Sequence, residues 1–530
     1  MWNRGWRELA WDQLDQKWDM IIIGGGITGA GIFRLASQLG LKVLLIEKHD
    51  FAYGTSSKSS KLVHGGLRYL KNYQFKVTYE SVQERQRLLK IDPNLVLPLV
   101  FVLPVYKYYD IPTWKFELAL AIYDFFGRKR AHGKFANQDI EKCCPQLNKT
   151  DLTDVLFYHD AVVDDARLVL CTLRKGVENG GLVINYAYVQ KLISNRKGKV
   201  IGVLINDQES LGKNRYKEIF GSVIINATGP WSDDLRKHFT NQKIIRKLRG
   251  SHLIFPKNKL PIEQAYLLNH PSDGRSIFAI PWENTTIIGT TDLDHPEEYE
   301  RLKPEPFITI EEVDYLLTGI NTVFPQIKLS EKDILSTFSG LRPIVNSGSV
   351  DPSKASRAHK IIAEHGFYTI AGGKLTTYLR MAEDLVKRVS HEVSLPHKAK
   401  KQICTEKPTY QLPSKLNISK DEIMRLSGRL GNDLQAFLSH SKPEEFSKID
   451  NTNTTWAELR WSALEEGILH LDDLLLRRTH IGLLCENGAK KYQKRIQTII
   501  QAELGWDNFK WKEEWKKYIM LWNQCYYLPS

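Results

Sequence analysis

Cysteine is scarce in this chain, with six residues in 530: Cys143, Cys144, Cys171, Cys404, Cys485 and Cys525. They form no C-x-x-C pair and no metal-ligand spacing, which excludes a zinc or iron–sulfur module and points to a reducing cytoplasm. The adjacent Cys143 and Cys144 read as two ordinary thiols. Long apolar runs are missing as well. The longest candidate, Leu95 to Tyr106, is too short to span a bilayer and carries Pro98 and Pro104. Met1 to Lys17 is rich in Trp and charge and has no apolar core for a secretory signal. There is no internal repeat and no low-complexity tract. Acidic residues are in deficit, 61 against 74 basic, for a net charge of +13. An acidic partner is thereby left open: nucleic acid, anionic lipid or a phosphorylated substrate.

What the chain does contain is a full nucleotide-binding unit in DMIIIGGGITGAGIFRLASQLGLKVLLIEK, Asp19 to Lys48. The apolar run Met20–Ile23 suits a buried parallel strand, and Gly24, Gly26 and Gly29 give G-x-G-x-x-G at the start of a helix. Gly24 permits the tight turn, Gly26 lets backbone approach a pyrophosphate, and Gly29 lets helix and strand pack closely. The free amide groups at the helix start favour the anion. Glu47 ends the next apolar strand, Val43–Ile46, at the spacing that suits an acid reading a ribose hydroxyl. This unit alone does not choose between FAD and a nicotinamide.

The following segments do. TSSKSSKLVHGGLRYL at 55–70 is a second glycine-rich, basic loop that an ordinary NAD domain does not need. NATGPWSD at 226–233 follows a third apolar strand and ends in a Thr228-Gly229 turn, and IAGGKLTT at 370–377 carries Lys374 on a Gly-Gly turn before a helical pattern. With DDARLVL at 164–170, GSH at 250–252, IPW and IIGTTD within 280–292, SGLRP at 339–343 and GGKLTTY at 372–378, these motifs cover most of residues 19–390. In them the chain resembles the FAD-dependent glycerol-3-phosphate dehydrogenases of the aerobic bacterial type, within the D-amino-acid-oxidase-like flavoproteins. A weaker match, DDLLLRRTHIG at 472–482, extends the resemblance into the C-terminal tail.

The fold expected is mixed α/β: a Rossmann-like FAD-binding domain interleaved with an antiparallel-sheet substrate domain, then an all-helical C-terminal domain. At this length two or three domains are the default. The nucleotide motifs place FAD-binding segments at about 19–90, 155–235 and 340–395, and the substrate domain at about 91–154 and 236–339. The runs SHLIFP, AYLL, SIFAIPW and TTIIGTTD in 250–295 alternate with turn residues as an antiparallel sheet would. Beyond about residue 404 the pattern changes to leucine-periodic helices, for example Asp421–Leu438 and Thr455–Leu471, giving a helical domain over 404–530.

The resemblance implies noncovalent FAD, hydride transfer from the C2 hydroxyl carbon of sn-glycerol 3-phosphate to flavin N5, dihydroxyacetone phosphate as product, and a membrane quinone as final acceptor. It also implies cofactor contacts from Ser59, Ser60, Lys61, Leu62, His64, Thr228, Gly229, Gly373 and Thr376, beside Gly24, Gly26, Gly29 and Glu47. A phosphate dianion calls for guanidinium and ammonium groups. Arg68, Arg342 and Lys374 are the cations inside the matched motifs, with Tyr69 beside the first, and the resemblance implies that they converge over the flavin. His252 in GSH is the natural catalytic base, since an imidazole titrates near working pH; a structural histidine is the alternative. Thr376 and Thr377 could bond flavin or substrate, or cap a helix.

Any contact with the membrane must come from one face, at the inner side of a cytoplasmic enzyme. In KWKEEWKKYIMLWNQCYY, Trp511, Trp515, Tyr518, Ile519 and Trp522 share a helical face with lysines on the others, which suits a headgroup-region helix or a terminal helix packed on its own domain. In PTWKFELALAIYDFF, 112–126, core packing is the favoured account. A glycerol-3-phosphate oxidase using oxygen is the nearest rival. An RNA-associated flavoprotein is remote, because no RNA-binding motif accompanies the charge, and nucleic acid is not expected as a partner. No metal is called for. No EF-hand pattern appears, unlike the longer mitochondrial form, and the oligomeric state, homodimer included, is left open.

Overall fold

The computed structural model describes the whole chain except residues 72, 110, 211–214, 347–357, 394–410, 412–415, 417 and 530 and the side chains at 68 and 71. The region around residue 404, where the helical domain is expected to begin, therefore lies outside the described residues.

Buried β-branched runs build the first sheet. Strand Trp18–Ile23 pairs in parallel with Val43–Ile46 on one side and with Tyr216–Asn226 on the other. The sheet continues through Leu182–Ile184 at one edge and through Phe367–Ala371 and Lys360–Glu364 at the other. A hairpin, Ala187–Ser194 and Val200–Asp207, extends from Tyr216–Asn226. Helices Ile27–Gln38, Asp165–Glu178 and Tyr378–Val389 cover one face, with Phe33, Leu173 and Leu385 in a shared core. These strands are near-continuous apolar runs because both faces are covered.

The second sheet is mainly antiparallel and has ten strands. Ile245–Pro256 pairs with Thr285–Gly289 on one side and Ser336–Val345 on the other. Ser276–Trp282, Ala265–Asn269, Val96–Tyr106 and Leu152–Val163 follow in order. Leu62–Val63 completes it, so the SSKL loop leaves the first sheet and enters the second. The chain thus crosses between sheets several times, and the cleft lies where those crossings meet.

From Lys420 onward the described residues form helices, shorter than their periodicity suggests. The run expected over 421–438 is broken into Lys420–Leu430 and Leu434–His440 by a turn at Gly431, whose φ of +56° a helix cannot continue through. The one expected over 455–471 ends at Glu465, just before Gly467 with φ +67°.

The two aromatic helices come out differently: the C-terminal one takes the packed alternative, and the earlier one departs from the core packing expected of it. Helix Asn508–Cys525 turns its aromatic face inward: Trp511, Tyr518 and Trp522 are buried, Trp522 Nε1 donates to the Gly482 carbonyl at 2.7 Å, and Tyr518 Oη donates to that of Gly488 at 2.9 Å. That face is core and cannot meet lipid. Helix Thr113–Gly127, read as core, buries fully only Leu120 and Tyr123 and leaves Trp114, Leu118 and Phe125 exposed.

The helical region is fastened to the first sheet by buried charge. Asp50, fully buried, accepts from Arg477 Nε at 2.5 Å and from Arg478 Nη1 and Nη2 at 2.6 and 2.7 Å. Burial alone would raise the Asp50 pKa, but the two guanidiniums overcome it and hold the carboxyl below its ordinary range. Asp50→Ala should therefore cost about 3–5 kcal/mol, since it strands two buried cations. Equilibrium urea denaturation measures this, and a loss below about 1 kcal/mol would show that the pair is not the fastening. His470 lies between Glu209 and Glu514 and is pushed up to about 10, because the hydrogen bonds it donates to both carboxylates outweigh the opposing effect of its burial. A histidine raised on folding contributes stability that is complete below its ordinary value and is lost as pH climbs toward about 10. His470→Gln should lower the melting temperature at pH 6, and the gap from wild type should close by pH 10.5.

Candidate active site

The glycine turn after Trp18–Ile23 is dictated by close approach. At Gly24, φ is +113° and a Cβ would stand 2.6 Å from the Ala227 carbonyl oxygen. At Gly29 a Cβ would stand 1.9 Å from the Gly24 carbonyl oxygen, so helix Ile27–Gln38 packs directly on the turn. Ser56 Oγ accepts from the Ile27 amide at 2.9 Å and ties the second loop to the helix start. Glu47 accepts from the Gly25 amide at 2.6 Å and the His49 amide at 2.8 Å. Burial raises its pKa despite those bonds.

Two cavities open from this region. One, about 420 Å³, is lined by Gly24, Gly26, Glu47, Thr228 and Trp231, with Tyr53, Tyr188 and Pro304 opposite. The other, about 250 Å³, is lined by Ser59, Ser60, Leu62, His64, Tyr69, His252, Arg342, Gly373, Lys374 and Thr376. Ile27, Thr28, Thr55 and Ser56 line both, so they form one cleft. Its shape fits a dinucleotide: an acid and a helix N-terminus at the roomier nucleotide end, close backbone at the centre, a smaller chamber beyond. Gly24, Gly26, Glu47, Ser56 and Thr228 would hold the nucleotide part. Gly373, Thr376 and the 59–64 loop would flank the ring.

Most site residues expected from sequence meet in this cleft, and some do not. Lys61 is fully buried and turned away, with its ammonium on Asp165 and the Ser57 carbonyl, each at 2.7 Å. Asp165 also accepts from Ser59 amide and hydroxyl, so this pair shapes the loop and leaves the cofactor to its neighbours. Gly29 serves packing, as expected of the third glycine. Gly229, with φ +57°, sets the turn between Thr228 and Pro230, which do line the cavity. The Arg68 side chain lies outside the described residues.

The chamber's charged groups stand on strands and are placed by register. His252 pairs with Gly289 on one side and Phe338 on the other. Its ring stacks on Phe338 at 4.4 Å and lies over Gly289, where a Cβ would meet Cδ2 at 2.3 Å. Nε2 is 2.8 Å from Ser60 Oγ. Burial first, then the charges of Arg342 and Lys61, hold its pKa well below the ordinary imidazole value, so the ring is neutral. Arg342 is fixed by the Thr291 carbonyl at 3.0 Å, Asp292 Oδ1 at 2.8 Å and Thr290 Oγ1 at 2.8 Å. Gly250 makes room for it, since a Cβ there would be 2.2 Å from Nη2. Asp292 is shared with Arg275 at 3.2 Å, so the trio keeps a net positive charge. Lys374 Nζ sits 4.2 Å from the Tyr69 ring centroid and bonds Ser81 Oγ. Thr376 Oγ1 accepts from the His64 amide at 3.2 Å, joining the late glycine turn to the early loop.

Thr290, Asp292, Ser56 and Trp231 escaped assignment from sequence, although each lies in or beside a motif. Asp292 closes IIGTTD and Trp231 closes NATGPW; their positions were visible and their partners were not.

Similarity to known proteins follows the same geometry. Residues 19–379 match the family model described as FAD dependent oxidoreductase, and residues 370–510 match the C-terminal domain of alpha-glycerophosphate oxidase. The aerobic glycerol-3-phosphate dehydrogenase of Bacillus subtilis is 40% identical over 385 residues, 71% of this chain and 68% of that protein. The enzyme of the same name from Staphylococcus aureus (strain USA300) is 33% identical over 491 residues, 88% and 87% of the two chains. The crystal structure of glycerol-3-phosphate dehydrogenase from Bacillus halodurans complexed with FAD superposes with a TM-score of 0.77 at 26% identity, covering 99% of this chain and 98% of that one. The reduced L-alpha-glycerophosphate oxidase of Mycoplasma pneumoniae, TM-score 0.56 at 16% identity over 72% of this chain and 97% of that one, shares the fold. The chain belongs to the FAD-dependent oxidoreductase family.

Proposed function

We propose that this protein oxidises the C2 hydroxyl of sn-glycerol 3-phosphate to dihydroxyacetone phosphate and delivers the electrons to a membrane quinone at the inner face of the membrane. The observation that carries the reading is the convergence of Arg342, Lys374 and His252, from three separate motifs, on one small chamber that opens into the dinucleotide cleft. Membrane delivery is peripheral in this reading: no helix among the described residues is long and apolar enough to cross a bilayer.

FAD, when bound, supplies the two-electron acceptor for the C2 hydrogen. The protein's part is positioning and proton transfer. Arg342, rigid on its strand, and Lys374, stacked on Tyr69, bind the phosphate through charge-assisted hydrogen bonds of about 1.5–3 kcal/mol each. Ser60 and His252 both line the chamber, with Ser60 Oγ 2.8 Å from His252 Nε2. The substrate hydroxyl donates to Ser60 Oγ as Ser60 donates to Nε2, so the proton comes to rest on the imidazole. A bound dianion opposes the Arg342 and Lys61 charges that hold the histidine pKa down. Substrate binding thereby strengthens the base that it needs.

Anaerobic mixing with sn-glycerol 3-phosphate should bleach the flavin, and a quinone analogue should restore it quickly. Recovery with oxygen and stoichiometric peroxide would make the enzyme an oxidase instead, and no bleaching would overturn the substrate. Arg342→Ala should cost about 2–4 kcal/mol in kcat/KM, and an unchanged value would remove Arg342 from the phosphate site. His252→Gln should lower the rate of anaerobic flavin reduction by about 10²- to 10⁴-fold while FAD stays bound. A rate within about threefold of wild type would make His252 structural.

A further inference from the structure

Helix Thr113–Gly127 has apolar residues all round. Leu120 and Tyr123 face inward, while Trp114 (59% exposed), Leu118 (54%), Ala121 and Phe125 (79%) form an outward stripe at spacings of four, three and four. A helix apolar on both faces is normally covered on both. The stripe also continues beyond the helix. Phe125 adjoins Phe126, whose ring meets Tyr79 edge-on at 5.5 Å. One turn before Tyr79 stands exposed Phe75, which contacts Tyr73, 82% exposed. A contiguous aromatic surface of this kind marks an interaction site.

Cations border it. Arg128, Lys129 and Arg130 follow the helix directly and are exposed, as are Lys115 and Lys76. The basic turn is held beside the stripe by Asp124, which accepts from the Ala131 and His132 amides at 2.6 and 3.0 Å and from His132 Nδ1 at 2.7 Å. Glu117 is the exposed acid on this helix. Rings at headgroup depth with cations around them match an anionic bilayer surface, apolar within and negative at its boundary. We infer that the stripe Trp114–Leu118–Phe125, with Tyr73, Phe75 and Tyr79 and the basic turn 128–130, is the face by which this enzyme seats on an anionic phospholipid membrane. The inference rests on the reading that the electron acceptor is held in a membrane, and it goes beyond that reading in naming the surface. Position agrees with it: the helix packs on Leu67–Lys71, whose Tyr69 lines the chamber.

The test is sedimentation of the full FAD-loaded protein with vesicles of phosphatidylcholine alone and with added phosphatidylglycerol. The wild type should bind the anionic vesicles and release in high salt. Trp114→Ser/Leu118→Ser/Phe125→Ser should bind at least tenfold more weakly. Arg128→Glu/Lys129→Glu/Arg130→Glu should lose the preference for phosphatidylglycerol. Both variants should keep wild-type glycerol-3-phosphate activity with a soluble dye and an unchanged melting temperature. Unaltered vesicle binding by either variant would overturn the assignment, as would a wild type that ignores vesicles. A dimer that the apolar variant turns into monomers, with vesicle binding intact, would assign the stripe to a second copy instead. Absence of dye-linked activity in the wild type would refute the proposed substrate and leave the vesicle result readable on its own.

Discussion

The architecture depends on a few buried carboxylates that tie distant segments to the cofactor cleft. Asp50 follows Glu47 by one short turn, so the grip of Arg477 and Arg478 on Asp50 sets the helical region directly behind the acid that lines the cleft. Asp164 and Asp165 divide the same task. Asp164 caps helix Asp165–Glu178 and accepts from Arg429 and His480 of the helical region; Asp165 grips Lys61 and Ser59 of the early loop. Removing one partner of such a pair is costly, while the intact pair adds little net stability over an apolar packing. What the pairs supply is a fixed geometry. The nucleotide turn, the flavin-side loop and the C-terminal helices are all located against one another through them.

The chamber shows a second constraint, backbone clearance. Gly250, Gly289 and Gly340 lie on three neighbouring strands, where their hydrogens leave room for the Arg342 guanidinium, the His252 ring and the Lys58 backbone in turn. In a strand interior glycine is normally unfavourable. Here it lets large polar side chains lie flat on a sheet that would otherwise be filled. Strand-borne groups keep their spacing, which suits a site that must align a small substrate beside a rigid ring.

How much of this was legible in the sequence differs by residue. Backbone-determined features were readable: the Gly24–Gly29 turn, Glu47 at the end of its strand, the Thr228 turn and the antiparallel run over 250–295 all follow from local steric and periodic rules. Charge partners were not. Lys61 lies in a basic glycine-rich loop, as a cofactor ligand would, yet its partner Asp165 is more than a hundred residues away and claims the ammonium. The same holds for Arg342, whose holders come from the IIGTTD turn. Helical amphipathicity was ambiguous in a further way. It reveals that a face is apolar and not what covers it: Asn508–Cys525 packs its aromatic face on its own domain, one of the two readings its sequence allowed, whereas Thr113–Gly127 leaves a face exposed where core packing was favoured.

Net charge follows the same logic. A surplus of +13 read from composition could have been spent on internal ion pairs. It was not. Among the described residues twelve Lys and Arg side chains are buried against thirteen Asp and Glu, so the interior nearly balances itself. The surplus therefore belongs to the rest of the chain, where it can act on a partner. Inside the cleft it is concentrated by low dielectric around a small phosphorylated substrate. On the surface it acts only over about a Debye length and needs apolar contact beside it to bind durably. Arg128 to Arg130 stand beside such apolar surface, because the ring-rich helix they terminate leaves Trp114, Leu118 and Phe125 exposed among the described residues. On the proposed reading, positive charge works in two dielectric settings: a chamber where geometry selects the anion, and a surface where neighbouring rings decide whether attraction becomes attachment.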